Sequence, residues 1–118
     1  VVTHTAREVA ELDYSRSLVQ EIHDHEFLGE MVGDNLTYYP SATREEFDRT
    51  GRITTLIENG DLAETTGIPC FNPETDRAMI CGSTEMIKDT KALLETHGLT
   101  EGSNAKPAEF VIEKAFVG

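Results

Sequence analysis

Short apolar runs and stretches of helical periodicity take turns along the whole of this chain, and that alternation restricts its fold more than any single residue does. Residues 1–4 (VVTH) are strand-like, and residues 5–13 form a polar turn. Over 15–27 the positions Leu18, Val19, Ile22 and His23 recur at helical spacing, with Ser15 placed as N-cap and the Gly-punctuated FLGEMVGDN closing the helix. Residues 36–40 (LTYYP) are a β-rich run ended by proline. A polar loop, 41–51 (SATREEFDRTG), leads to short helical segments at 54–59 and 61–66, then to a turn-rich connection at 69–76. A strand at 79–81 runs into a helix at 84–97 that turns Met86, Ile87, Leu93 and Leu94 inward, with Gly98 as its C′ residue. The last strand is EFVIEKAFV. This is the βαβ order of an α/β protein, an open parallel sheet covered on both faces, and short apolar strands suit burial on both sides.

The chain has 118 residues, which suits one domain better than two. Acidic residues outnumber Lys and Arg 22 to 10, for a formal net charge of −12. That balance argues against general binding to nucleic acid or to an anionic membrane, both of which require a positive field. No apolar run approaches the roughly 20 residues of a membrane span. The two cysteines, Cys70 and Cys81, have no metal-ligand spacing, and the expectation is two free thiols in a cytoplasmic protein without a metal site. The first residues read as the end of a buried strand with no cap or turn before them. The chain is therefore expected to be the C-terminal piece of something longer.

Open α/β sheets bind ligands at the carboxyl ends of their strands, which selects the loops at 5–7, 41–52 and 81–86. Arg7 follows the first strand, and Arg44, Arg49 and Arg52 crowd the loop after the second, with Thr43 adding a hydroxyl. Guanidinium forks beside hydroxyls suit a dianionic phosphate, and an arginine after the second strand is what accommodates the 2′-phosphate of NADP. The same loop, read as a solvated surface, pairs these arginines with Glu45, Glu46 and Asp48. At Cys81-Gly82-Ser83, Gly82 allows a ligand close to the backbone and the helix after it aims amide donors back at the turn. A tight strand-to-helix turn with a packed thiol accounts for the spacing equally well.

The segment RAMICGSTEMIKDTKALLETHGLTEGSNAKPAEFVIEKAFVG resembles the C-terminal end of bacterial ferredoxin(flavodoxin)–NADP⁺ reductases. HTAREVAELDY and TREEFDRTGRITTLIENGDL resemble the 2′-phosphate-binding segments of the same family. The resemblance covers essentially the whole chain, and its CGS-x-x-M and TRE…GRIT motifs together are specific. It implies a five-stranded parallel sheet in the order 3-2-1-4-5, so that residues 1–118 are an NADP-binding domain. It also implies that Arg7, Thr43, Arg44 and Arg52 hold the 2′-phosphate and its adenosine. Arg49 or Phe47 becomes a platform for adenine, and Asp76 an adenosine-side contact. Cys81, Gly82, Ser83 and Met86 are placed beside the nicotinamide. Glu113 matches the acidic residue near the nicotinamide–flavin junction. Ala115 followed by Phe116 matches the bacterial subclass with an extended tail, which makes Cys81, Glu113 and Ala115 the catalytic candidates and Phe116 a cofactor-side residue.

By the same resemblance the cofactors are NADP(H) and FAD, and the partners are ferredoxin or flavodoxin together with an N-terminal FAD-binding part. The family's Gly-rich G-T-G-x-x-P turn and its R-x-Y-S flavin motif have no match here. The strand that would carry the former is the central one, between the strands at 1–4 and 79–81. Without it the segment is not expected to fold or work as an autonomous unit. Two other readings stand beside this one: a non-enzymatic nucleotide-binding α/β module, and the reductase arm of an oxygenase system.

Overall fold

A computed structural model of the chain describes residues 1–113, and residues 114–118 lie outside the described residues. The chain falls into two compact units, Val1–Gly67 and Ile68–Gly118.

In the first unit, strands β1 (Val2–Ala6) and β2 (Tyr38–Ala42) form a parallel ladder, in register from Val2 opposite Tyr38 to Ala6 opposite Ala42. The crossover between them holds a 3₁₀ turn at Val9–Leu12, helix α1 (Asp13–Asp24) and helix α2 (Leu28–Val32). Helices α3 (Ile53–Glu58) and α4 (Asp61–Thr66) follow β2. Leu12, Val19, Tyr39, Ala42, Leu56 and Leu62 are among the residues that fill its interior. Helix α1 starts earlier than the spacing predicts, with Leu12 and not Ser15 at its N-cap. Ser15 is drawn inward by other partners: its Oγ lies 2.6 Å from His4 Nδ1 and 2.5 Å from the Tyr38 hydroxyl. Of the residues that recur at helical spacing, Leu18 and His23 are exposed. They flank the stripe centred between Val19 and Ile22, and one narrow stripe is all that a single helix face buries.

In the second unit, β3 (Ala78–Cys81) and β4 (Phe110–Glu113) form another parallel ladder, with helix α5 (Thr84–Thr96) between them. Ile80, Leu94, Leu99 and Phe110 make its core, with Phe71, Ala78, Met86, Ile87 and Ile112 packed around them. After α5 the chain turns at Gly98, whose φ of +89° is the left-handed conformation that ends helices at glycine. Strand β3 departs from the expected burial on both faces. Ile80 is 3% exposed but Met79 is 76% exposed, so among the described residues only the face beneath α5 is covered.

The α/β class and the parallel pairing thus stand, as two two-stranded sheets, β1 with β2 and β3 with β4. Among the described residues no strand joins the two sheets.

Candidate functional site

The first unit gathers cations at the carboxyl ends of its strands by prolonging the ladder beyond them. The Thr43 amide donates to the Ala6 carbonyl at 3.0 Å, and the Arg44 amide donates to the Arg7 carbonyl at 2.9 Å. Arg7 and Arg44 therefore emerge side by side from adjacent strand ends, both exposed. Among the described residues neither side chain has a hydrogen bond or ion pair. Beneath them the Thr5 and Ser41 hydroxyls, directly opposite in the register, lie 2.7 Å apart, with Ser41 fully buried. Glu45 turns back to accept the Val9 amide at 2.6 Å. Arg52 is exposed at the N-cap of α3.

Arg49, in the same loop, has a different fate. Its guanidinium carbon sits 4.4 Å from the centre of the Tyr39 ring, and its Nε donates to Asp61 Oδ2 at 3.2 Å. The Tyr39 hydroxyl donates to the same carboxylate oxygen. Burial first, and then the Asp61 hydrogen bond and charge, push the Tyr39 phenol far above its usual range, and the Arg49 charge opposes them. One face of the proposed adenine platform is thus already covered by tyrosine. Phe47 is half-buried.

The second unit is arranged by shape. Cys81 and Glu113 end neighbouring strands and are direct register partners, so these two catalytic candidates occupy one edge. Both are exposed, and Cys70 and Cys81 are free thiols. Burial, followed by the charge of Asp76, pushes the Cys70 thiol up. Ser83 is the N-cap of α5 and its hydroxyl accepts the Met86 amide at 3.3 Å. A Cβ on Gly82 would stand 2.7 Å from Met86 Sδ. The C-G-S-x-x-M motif is therefore a local lock: serine caps the helix, and glycine leaves room for the methionine that folds back over the turn.

Asp76 is held in a turn, where its carboxylate accepts the Asn72 amide at 2.8 Å and the Thr75 hydroxyl at 3.2 Å. Ala115 and Phe116 lie outside the described residues. The sequence reading missed Tyr39, Ser41 and Asp61. The signal for Tyr39 was available, because an inward-facing tyrosine in an apolar strand needs a partner for its hydroxyl. Among the described residues no group of His, Cys, Asp or Glu could hold a metal ion, and no helix is long and apolar enough to cross a membrane.

Parallel strand pairs with uncommitted arginines at one set of ends and a capped Cys-Gly-Ser turn at the other define a class, the α/β nucleotide-binding folds. No family model matches the chain. It is 50% identical over all its 118 residues to a flavodoxin/ferredoxin–NADP reductase of Rhodobacter capsulatus, covering 44% of that protein. It is 48% identical over 118 residues to ferredoxin–NADP reductase A of Sorangium cellulosum, covering 42% of it. A solved structure titled as a ferredoxin NADP⁺ reductase from Neisseria gonorrhoeae with bound FAD and NADP superposes with a TM-score of 0.72 at 26% identity, over 97% of this chain and 43% of that one. In sequence and fold the chain is thus similar to ferredoxin–NADP reductases, and it spans less than half the length of the curated relatives it matches.

Proposed function

We propose that this chain is the NADP(H)-binding portion of a FAD-dependent ferredoxin or flavodoxin reductase of the cytoplasm. The observation that carries the reading is the pair Arg7 and Arg44. In a chain of net charge −12, the backbone joins two exposed arginines, and among the described residues neither side chain has a hydrogen bond or ion pair. Adjacent uncompensated cations repel, and a dianionic phosphate relieves that repulsion while accepting their hydrogen bonds. Arg7, Thr43, Arg44 and Arg52 then take the 2′-phosphate, and Phe47 is the surface offered to adenine.

FAD, in a part of the longer polypeptide outside this chain, supplies the change from two-electron hydride to single electrons that ferredoxin or flavodoxin require. The chain's own contribution is to bind and orient NADP(H). The surface offered to the nicotinamide is shaped by Met86 folded over Gly82 and by the Ser83 cap. Cys81 and Glu113 line its edge as positioning groups, with no covalent bond to the thiol. Residues 1–118 make one NADP-binding domain whose central strand comes from another segment. In support, β1 and β3 each pair along one edge only among the described residues.

The full-length polypeptide carrying this sequence, once purified, is expected to hold one FAD per chain and to pass electrons from NADPH to a ferredoxin or a flavodoxin. Absence of flavin would point to a binding module without enzymatic activity. Bound flavin with reduction of neither protein acceptor would favour the reductase arm of an oxygenase.

A further inference from the structure

Arg49 is the arginine that the phosphate site does not need, and its side chain is engaged within the protein. Its side chain spends both its charge and its flat face on Tyr39 and Asp61. Tyr39 is 1% exposed, and its hydroxyl reaches the same Asp61 oxygen, to which the Thr65 hydroxyl also donates at 3.5 Å. Asp61 is itself set by its own amide, which donates to Asn59 Oδ1 at 2.9 Å at the start of α4. Strand β2 and helix α4 therefore grip one guanidinium between them.

The main chain of Arg49 carries that grip to the phosphate loop. The Ala42 amide donates to the Arg49 carbonyl at 3.0 Å, and the Gly51 amide returns to the Ala42 carbonyl at 2.9 Å. Both ends of the loop at 43–48 are thus fastened at Ala42. Its leading end is fastened again, by the Thr43 and Arg44 amides, to Ala6 and Arg7. Without Asp61 the trailing end keeps its backbone bonds but loses the side-chain anchor that sets its direction. A loop that must be ordered on binding yields affinity to that ordering, and one already ordered does not.

We propose that Tyr39 and Asp61 are positioning residues for nucleotide selection: they clamp Arg49 and so hold the 43–48 loop in the shape that presents Arg44 to a 2′-phosphate. The inference rests on the 2′-phosphate reading above and extends it to residues that touch no nucleotide. It separates the arginines by task, with Arg7 and Arg44 for the ligand and Arg49 for the loop.

The test is calorimetric titration of the full-length polypeptide with NADP⁺ and with NAD⁺, for the wild type, Tyr39→Phe, Asp61→Asn and Arg44→Ala. Tyr39→Phe keeps the ring under Arg49 and removes only the hydroxyl, so it preserves the packing. Each brace variant is expected to weaken NADP⁺ binding about two- to tenfold, the worth of a hydrogen bond, and to weaken NAD⁺ binding less, since NAD⁺ meets the same loop only through its adenine. Adding Asp61→Asn to Arg44→Ala should change the NADP⁺ to NAD⁺ preference no further, since the two then act on one interaction. A purely structural role would weaken both nucleotides alike and add fully to Arg44→Ala, and that result overturns the proposal. If Arg44→Ala lowers the preference while Tyr39→Phe and Asp61→Asn leave it at the wild-type value, the brace alone is wrong. If Arg44→Ala itself has no effect on the preference, the phosphate reading has failed and the brace falls with it.

Discussion

The two units solve the same topological problem with different materials. Each joins a pair of parallel strands through a helical crossover and ends them at a loop. In Val1–Gly67 the loop is held by polar contacts: Thr5 with Ser41, Glu45 with the Val9 amide, and the Tyr39–Arg49–Asp61 brace. In Ile68–Gly118 the turn rests on an apolar core and on close approaches that only glycine permits. A Cβ on Gly102, for instance, would lie 2.3 Å from the Ala108 amide nitrogen. The difference suits two kinds of ligand group. A charged phosphate is caught by donors whose own positions are fixed by hydrogen bonds, whereas a flat ring is accepted by a surface of defined shape.

The largest effect that can break this comparison is loss of the apolar core. Phe110→Ala removes a side chain that is 1% exposed and should cost about 3–5 kcal/mol. Amide exchange on the full-length polypeptide is expected to show lost protection at Ala78–Cys81 and Phe110–Glu113 while Val2–Ala6 and Tyr38–Ala42 keep theirs. Equal loss in both pairs would mean that the units do not stand on separate supports. Alkaline pH should strike the other unit. The folded state holds the Tyr39 phenol protonated where the unfolded chain would ionise it. The resulting stability is complete below about pH 10, the usual tyrosine value, and is lost as pH rises above it. Thermal melts across that range should fall more steeply for the wild type than for Tyr39→Phe, and parallel curves would remove the phenol from the account. A smaller effect belongs to Gly82→Ala, which crowds the mobile end of Met86 and not the backbone, and should cost about 1 kcal/mol, at the low end for overpacking. Met86→Ala in the same molecule should relieve that crowding. If the paired change is simply the sum of the two single ones, the lock is not what fixes the turn.

The alternation of short apolar runs with helical spacing was sufficient to read the α/β class, the parallel pairing and most of the elements. Helix α4 has the expected bounds, and α5 ends one residue early. Local pattern carries such features because capping and periodicity are themselves local. What it could not reach is set between distant residues. Ser15 looked like a cap, and only the fold brings it to His4 and Tyr38. Arg49 looked like Arg44, with the same chemistry in the same loop, and only the fold places an aspartate from α4 beside one of them. Arg44 shows the converse: its lack of a partner among the described residues, which makes it the better candidate, cannot be read from a segment crowded with Glu45, Glu46 and Asp48.

The claim that the first unit takes the phosphate and the second the ring is tested most directly with the two halves of the nucleotide. Amide exchange would be recorded on the full-length polypeptide with adenosine 2′,5′-bisphosphate, with adenosine 5′-phosphate, and with nicotinamide mononucleotide. The account predicts that the bisphosphate slows exchange at Arg7, Thr43 and Arg44 and leaves Cys81, Gly82 and Ser83 unchanged. Adenosine 5′-phosphate should protect the arginines far less, and nicotinamide mononucleotide should protect the Cys81 turn alone. Protection of the Cys81 turn by the bisphosphate, or equal protection of Arg7 and Arg44 by both adenosine phosphates, would contradict it.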